Sequence, residues 1–433
     1  MRSTVDHPDP LAARAVACDR RAAPGDAGPH RLELMVGTRA PTVPPDGTAG
    51  GRRYRGGVPS PFDLSRAELA ELLADEPGFR ARQVWDGLHR RGLRPEEMTD
   101  LPLPLRTRLA EALPPALTEL ACRSADGGAT QKWLWRLADG RQVESVLMRY
   151  DDRVTVCVSS QAGCAMRCTF CATGQGGFDR HLSTGEIVEQ VVRARRAAAP
   201  DRLSNVVFMG MGEPLANYDR VWAAVRQLHG ELGLSARHLT LSTVGVVPGI
   251  DRLATEDLPV TLAVSLHAAN DTLRDELVPL NRRYPLAELA AACRRYVASS
   301  GRRLSLEWAL IDGVNDRARD AAELVAFARP LRAHVNLIPL NPTPGYPVRG
   351  TPPDRVRAFR RRLDDAGVAV TVRDTRGSDI DAACGQRAAS LGGAVPPSST
   401  PGRPGRADEP AARARRRTGT DSVPRPVRLG ASQ

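Results

Sequence analysis

The sequence predicts an α/β fold: a partial parallel barrel of about six βα units, preceded by a small N-terminal α/β domain. Three observations lead there. From residue 153 onward, short runs rich in apolar and β-branched residues alternate with amphipathic segments of helix length, which is the pattern of βαβ units and a parallel sheet. Only about six such units can be counted, too few for a closed eight-fold barrel. Residues 57–150 read differently, as helices followed by three closely spaced strands joined by Asp126-Gly127-Gly128 and Asp139-Gly140.

Residues 1–56 are rich in Pro, Gly, Ala and Arg without a sustained apolar period, and are expected to be a disordered extension. Order is expected from about Leu64. Ser65 with Glu68 forms a capping box ahead of Leu69, Leu72 and Leu73. A second helix from Phe79 carries Ala81, Val84, Trp85 and Leu88 on one face, with Arg80, Arg82, Arg90 and Arg91 off it. Strands are expected at 119–123, 131–137 and 141–149. The domain at 151–391 is expected to hold strands at 153–159, 204–209, 238–243, 259–266, 303–310, 333–338 and 368–373. Helices are expected at 184–197, capped by Ser183 with Glu186, and at 217–229, 285–299, 316–329 and 353–366. Residues 392–433, rich in Pro and Arg, again read as disordered: either an RNA-touching tail or a solvated extension.

Composition narrows the function. The chain has 433 residues, is 42% hydrophobic and carries a net charge of +11. Nine arginines against six acids in 1–56, and nine against three in 387–433, account for +9 of that, leaving +2 for the middle. The basic pI therefore belongs to the ends and does not mark the folded part as a nucleic-acid binder. Lys132 is the chain's only lysine, which reads as codon bias. No segment approaches the roughly 18–20 apolar residues of a membrane span. The eight cysteines, with no signal-peptide pattern before them, suit a reducing, cytoplasmic compartment rather than a disulfide scaffold.

The chemistry is concentrated after the first barrel strand, in Cys164-Ala165-Met166-Arg167-Cys168-Thr169-Phe170-Cys171. Three thiolates within eight residues, on a loop bounded by Gly163 and by Gly174, Gly176 and Gly177, can wrap one metal centre, either zinc or an iron–sulfur cluster. A structural zinc needs four ligands, and no fourth Cys or His lies at zinc-finger spacing. This signature, with Phe170 before the third cysteine, resembles the radical S-adenosylmethionine (SAM) superfamily. Gly210-Met211-Gly212-Glu213-Pro214, following the apolar run Val206–Met209, resembles that superfamily's glycine-rich segment, where small residues admit the ligand and a carboxylate suits the SAM ammonium.

Within the superfamily, residues 64–388 resemble the 23S rRNA adenine-C2 methyltransferases, which in some bacteria also modify tRNA. The matching stretches include Phe79–Gln83, Val143–Leu147, Cys157–Cys164, Leu241–Gly245, Ser265–Ala268, Asn336–Pro342 and Asp379–Gly385. Gln386-Arg387 departs from the family's Gln-Leu. The resemblance implies a [4Fe-4S] cluster on Cys164, Cys168 and Cys171, and SAM contacts from Gly212, Glu213, Ser242, Ser265, Leu266, His267 and Asn341. It implies two SAM per turnover. One methylates Cys384; the other is cleaved to a 5′-deoxyadenosyl radical that activates that methyl group for addition to adenine C2. Glu144 matches the proton acceptor, and Cys157 resolves the protein–RNA adduct by a transient disulfide with Cys384. By contrast, Cys122 and Cys293 read as ordinary structural cysteines.

Expected partners are 23S rRNA, tRNA and a flavodoxin-like electron donor; the enzyme is expected to be a monomer. The arginines of the second helix and Arg355, Arg357, Arg360, Arg361 and Arg362 are candidate phosphate contacts, the latter set equally a solvated face. A C8-methylating resistance enzyme shares the cluster and both extra cysteines. A non-catalytic metal- and RNA-binding protein is the alternative from another class.

Overall fold

In this computed structural model residues 60–373 are described, apart from 342, 344 and 347. The expected disordered ends, Cys384 and its loop lie outside the described residues.

The chain enters through α1 (Arg66–Leu72), whose capping box forms as expected: Ser65 N–H donates to Glu68 at 2.7 Å and Glu68 N–H to Ser65 Oγ at 3.2 Å. In α2 (Phe79–His89) Val84, Trp85 and Leu88 are buried, while Phe79 at the helix start is exposed. Next comes α3 (Leu103–Ala112), a short helix hidden from the sequence pattern by its flanking prolines. Three antiparallel strands follow, β1 (Thr118–Ala125), β2 (Thr130–Arg136) and β3 (Gln142–Arg149).

The barrel strands are β4 (Val154–Cys157), β7 (Leu203–Phe208), β8 (Leu239–Thr243), β9 (Thr261–Ser265), β10 (Ser305–Leu310), β11 (His334–Pro339) and β12 (Val370–Val372). Between β4 and β7 a hairpin of β5 (Gln161–Gly163) and β6 (Phe178–His181) brackets the cysteine loop, within which lies the single turn α4 (Ala172–Gln175). The connecting helices are α5 (Thr184–Ala198), α6 (Tyr218–Gly230), α7 (Val247–Leu253), α8 (Asp271–Leu277), α9 (Leu286–Ser300), α10 (Ala318–Ala328) and α11 (Pro353–Asp365). Ser183 and Glu186 cap α5 reciprocally.

All these strands except the β5–β6 pair form one ten-stranded sheet, ordered β1-β2-β3-β4-β7-β8-β9-β10-β11-β12. From β4 onward neighbours run parallel; β3 joins β4 antiparallel. Among the described residues the sheet has two ends, β1 and β12, as in a partial barrel. The turn near residue 150, where a domain boundary was expected, lies inside this continuous sheet, with Tyr150 N–H donating to Arg153 at 2.8 Å.

Strand alternation divides the sheet's two faces. Trp133, Trp135, Val143 and Leu147 face the main core with Ile187, Val188 and Val191 of α5. Lys132, Glu144, Val146 and Met148 share the opposite face, and Cys157 stands directly across from Val146. Cys157, Val146 and Met148 form a small apolar cluster there with Val207 and Met209.

Candidate active site

At the C-terminal ends of the barrel strands lies a cleft enclosing about 1010 Å³ of empty space, part of it open solvent. Met209, Ser242, Ser265, Ala309, Ile338 and Arg373 line it, one from the end of each strand from β7 to β12. A single cleft touching six successive strands requires the sheet to curve around it.

The three cysteines of the loop also line the cleft. Gly163 sets the loop's entry: its φ is +73°, and a Cβ there would meet the Gly177 carbonyl at 2.2 Å. Cys164 N–H donates to that carbonyl at 2.6 Å, and Thr169 N–H to Leu277 at the end of α8 at 3.2 Å. Burial pushes the Cys164 thiol up to about 12 and the Cys168 thiol well above its ordinary value, so both are protonated until a metal displaces the protons. Among the described residues no three Cys, His, Asp or Glu side chains converge to hold a single ion. The donor set is three soft thiols on a cleft wall, a fit to a polynuclear iron–sulfur centre with an open corner rather than to a mononuclear zinc.

The glycine-rich segment after β7 works differently from its sequence reading. At Gly212 φ is +101°, and a Cβ would strike Gln161 Cβ at 2.5 Å, so this glycine is required by the chain's own β5 as well as by the cleft it lines. Glu213 is buried, accepting Leu215 N–H at 3.0 Å and Val244 N–H at 2.9 Å. Burial raises its carboxyl to about 7, and no cation among the described residues forms an ion pair with it. A buried carboxylate without a counter-ion on the cleft wall fits a ligand ammonium.

His267, with φ of +59°, accepts Ala309 N–H at Nδ1 (3.0 Å), which assigns its proton to Nε2. Burial lowers its pKa to about 3, so the ring is neutral and can act as a donor. Its edge meets Phe170 of the cysteine loop at 4.7 Å between centroids. Ser242, Ser265 and Asn341 line the same cleft. Leu266 differs from the expectation: its side chain is fully buried in the main core, because alternation turns it away from its neighbours, and any ligand contact falls to its backbone.

Cys157 and Glu144 stand beside this cleft on the interior face of the sheet. Met209 packs on the Cys157 cluster and also lines the cleft, linking the two. Glu144 is not the exposed strand glutamate its position suggests: it is 2% exposed, and Lys132 Nζ lies 3.1 Å from its Oε1. Ser159 Oγ donates to the Glu144 carbonyl at 2.6 Å and accepts Met211 N–H at 2.9 Å, tying β3 to the glycine-rich segment.

Several site residues escape the sequence reading. Arg274, 1% exposed, donates to the carbonyls of Val244 (2.6 Å) and Leu266 (3.0 Å) and to Asn281 (2.8 Å), joining the ends of β8 and β9. Glu307 is buried in the cleft wall, held by Ser305 and Asn336, each at 2.8 Å; a lone acid inside the apolar run 304–310 was its legible signal. Arg355, a candidate phosphate contact, is instead engaged by Asp312 and Asp316 at 2.5 Å each. Arg82, Arg90 and Arg91, in and just after α2, are exposed; Arg90 pairs with Asp86 at 3.5 Å and Arg91 with Asp100 at 2.9 Å.

An open parallel barrel with a three-cysteine loop at the strand ends is the architecture of a radical SAM enzyme, and the "Radical SAM superfamily" sequence profile matches residues 158–325. This superfamily's cofactors are a [4Fe-4S] cluster and SAM. The chain is 56% identical over 347 residues to "Probable dual-specificity RNA methyltransferase RlmN" of Salinispora tropica, covering 76% of this chain and 92% of that one. It is 57% identical over 348 residues to the like-named protein of Frankia alni, covering 76% and 83%. The crystal structure of a radical SAM methyltransferase from Sphaerobacter thermophilus superposes with a TM-score of 0.74 at 51% identity, covering 76% of this chain and 99% of that one. The chain belongs to the dual-specificity RNA methyltransferase family and is a radical SAM RNA methyltransferase. Among the described residues no helix is long and apolar enough to cross a membrane.

Proposed function

We propose that the enzyme methylates C2 of an adenosine in 23S rRNA and C2 of the adenosine 3′ of the anticodon in some tRNAs. The observation that carries this reading is the placement of Cys157 and Glu144 on the sheet face that runs, through Met209, into the thiol-lined cleft. The dual specificity in the relatives' name supports the two RNA classes.

Adenine C2 lies between two ring nitrogens and is too electron-poor to attack a sulfonium methyl group, so the methyl must arrive by a radical route, which the family resemblance places on a cysteine side chain. Cys384 is that cysteine. The cluster that Cys164, Cys168 and Cys171 would hold, together with bound SAM, would supply the one-electron chemistry. Gly212, Glu213, Ser242, Ser265, His267, Asn341 and the Leu266 backbone hold SAM, with Glu213 at its ammonium. Glu144 takes the C2 proton, leaving the bonding pair in the ring, and the adduct gives up its one unpaired electron, which a cluster held by Cys164, Cys168 and Cys171 would accept, so that a closed-shell thioether remains. The Cys157 thiolate then attacks the Cys384 sulfur: an S–S bond forms, the S–CH2 bond breaks, and the released carbon takes up a proton to become the methyl group. Two thiols are oxidised in each turnover, and a flavodoxin-like electron donor restores them. The protein acts as a monomer in the cytoplasm.

The test is the nucleoside made on protein-free 23S rRNA and tRNA by anaerobically reconstituted enzyme with SAM and a reductant. The expected product is 2-methyladenosine, lost in Cys384→Ala. An 8-methyladenosine product assigns the enzyme to the C8 chemistry instead, and RNA binding without methylation overturns the reading.

A further inference from the structure

We infer that Lys132 is a positioning residue for the reaction, holding the Glu144 carboxylate at the adduct; this rests on the role proposed for Glu144. The two side chains lie diagonally across β2 and β3, since Lys132 pairs in register with Val146 and Glu144 with Leu134. Diagonal neighbours on one face are within reach of a long side chain, and here the ammonium closes to 3.1 Å of Oε1. The side chains are 11% and 3% exposed, so the pair is essentially out of water.

Stability alone does not explain such a pair. Removing two charges from water costs several kcal/mol per ion, and apolar replacements of buried ion pairs are often neutral or stabilising. The face around it would suit apolar residues, because Val146, Met148 and Cys157 already cluster there. What the pair adds is a fixed carboxylate on the face that leads to the cleft.

Its chemistry is specific to lysine. Every other basic side chain among the 61 Lys and Arg of this sequence is arginine. A guanidinium presents a planar fork that clasps both oxygens of a carboxylate, whereas an ammonium is a point charge. Lys132 meets the carboxylate as a point charge, 3.1 Å from Oε1, and so fixes the group without the two-point clasp a guanidinium would make. A compositional drift toward arginine that spares one position in the chain, and that position beside the proposed proton acceptor, makes selection for an ammonium the coherent explanation.

Glu144 is held from its backbone as well. Ser159 Oγ donates to its carbonyl at 2.6 Å, so main chain and carboxylate are fixed by separate partners. Lys132 fixes the half that does chemistry.

The experiment compares reconstituted holoenzyme with Lys132→Met, Lys132→Arg and Glu144→Gln on a 23S rRNA fragment in single turnover. It follows methylation of Cys384 by peptide mass spectrometry and the protein–RNA adduct on denaturing gels. The expected result is normal Cys384 methylation in Lys132→Met with adduct resolution slowed about tenfold or more, part of the 10²–10⁴ that a placed acid–base group contributes. Glu144→Gln should accumulate the same adduct, and Lys132→Arg should recover part of the rate. A merely structural residue would depress both half-reactions together. If Lys132→Met does not fold, Lys132→Gln replaces it with the same expectation. Adduct accumulation in Glu144→Gln with wild-type resolution in Lys132→Met, or in its Gln substitute, overturns the inference alone. No accumulation in Glu144→Gln overturns the Glu144 reading, and the inference with it.

Discussion

Glu213→Gln perturbs the cleft at one atom, and its consequences can be worked from burial. The Glu213 carboxyl is raised from 4.5 to about 7 by desolvation, which outweighs the hydrogen bonds it accepts from Val244, Leu215 and Thr243. The native protein therefore holds a proton on Glu213 where the unfolded chain has lost it. Its stabilising share is intact below about pH 4.5 and is lost as pH rises through about 7. At about 1.4 kcal/mol per pH unit the loss is about 3 kcal/mol, somewhat more than half of it between about pH 5.5 and 8. Glutamine carries no such dependence. Urea denaturation of cluster-free protein across that range should show the wild type losing about 2 kcal/mol more than Glu213→Gln. SAM, bringing an ammonium to the ionised carboxylate, should reverse the penalty. Glu213→Gln should then bind SAM at least about tenfold more weakly at pH 8, as expected for one charge-assisted hydrogen bond. Parallel pH profiles, or an unchanged SAM affinity, would refute the reasoning.

Other outcomes follow from the same geometry. Arg274→Met leaves two buried carbonyls and Asn281 without their charged donor, partly offset by relief of a buried charge. It should cost about 3 kcal/mol, lower Tm by about 5 °C in calorimetry, and raise the KM for SAM. Ser159→Ala removes the bridge between the Glu144 carbonyl and Met211 N–H, and should cost about 1–3 kcal/mol by urea denaturation while slowing adduct resolution. Cys168→Ala should abolish the visible absorption of the reconstituted cluster while the circular dichroism of the apo protein stays that of the wild type.

Much of this architecture was legible because it rests on local chemistry. Ser65 with Glu68 and Ser183 with Glu186 announced two helix starts, and both boxes form. Cys164, Cys168 and Cys171 announced the site because thiols at that spacing have few other uses. What stayed hidden depends on partners distant in sequence. Lys132 and Glu144 are twelve residues apart on different strands, and only their register makes them a pair. Arg355 read as a phosphate contact or a solvated arginine but is claimed by Asp312 and Asp316, and Arg274, which carries no signal of its own in the sequence, is buried among strand-end carbonyls. The β5–β6 hairpin was missed because three- and four-residue strands beside glycines carry too little alternation to read.

The most direct test of the two-thiol chemistry is mass spectrometry of reconstituted Cys157→Ala after reaction with 23S rRNA and nuclease digestion. The expected result is the Cys384 peptide joined through one added carbon to an adenosine, because without Cys157 no thiolate is in place to release it. Normal methylated RNA from Cys157→Ala, with no nucleoside on Cys384, would contradict the roles given to both cysteines.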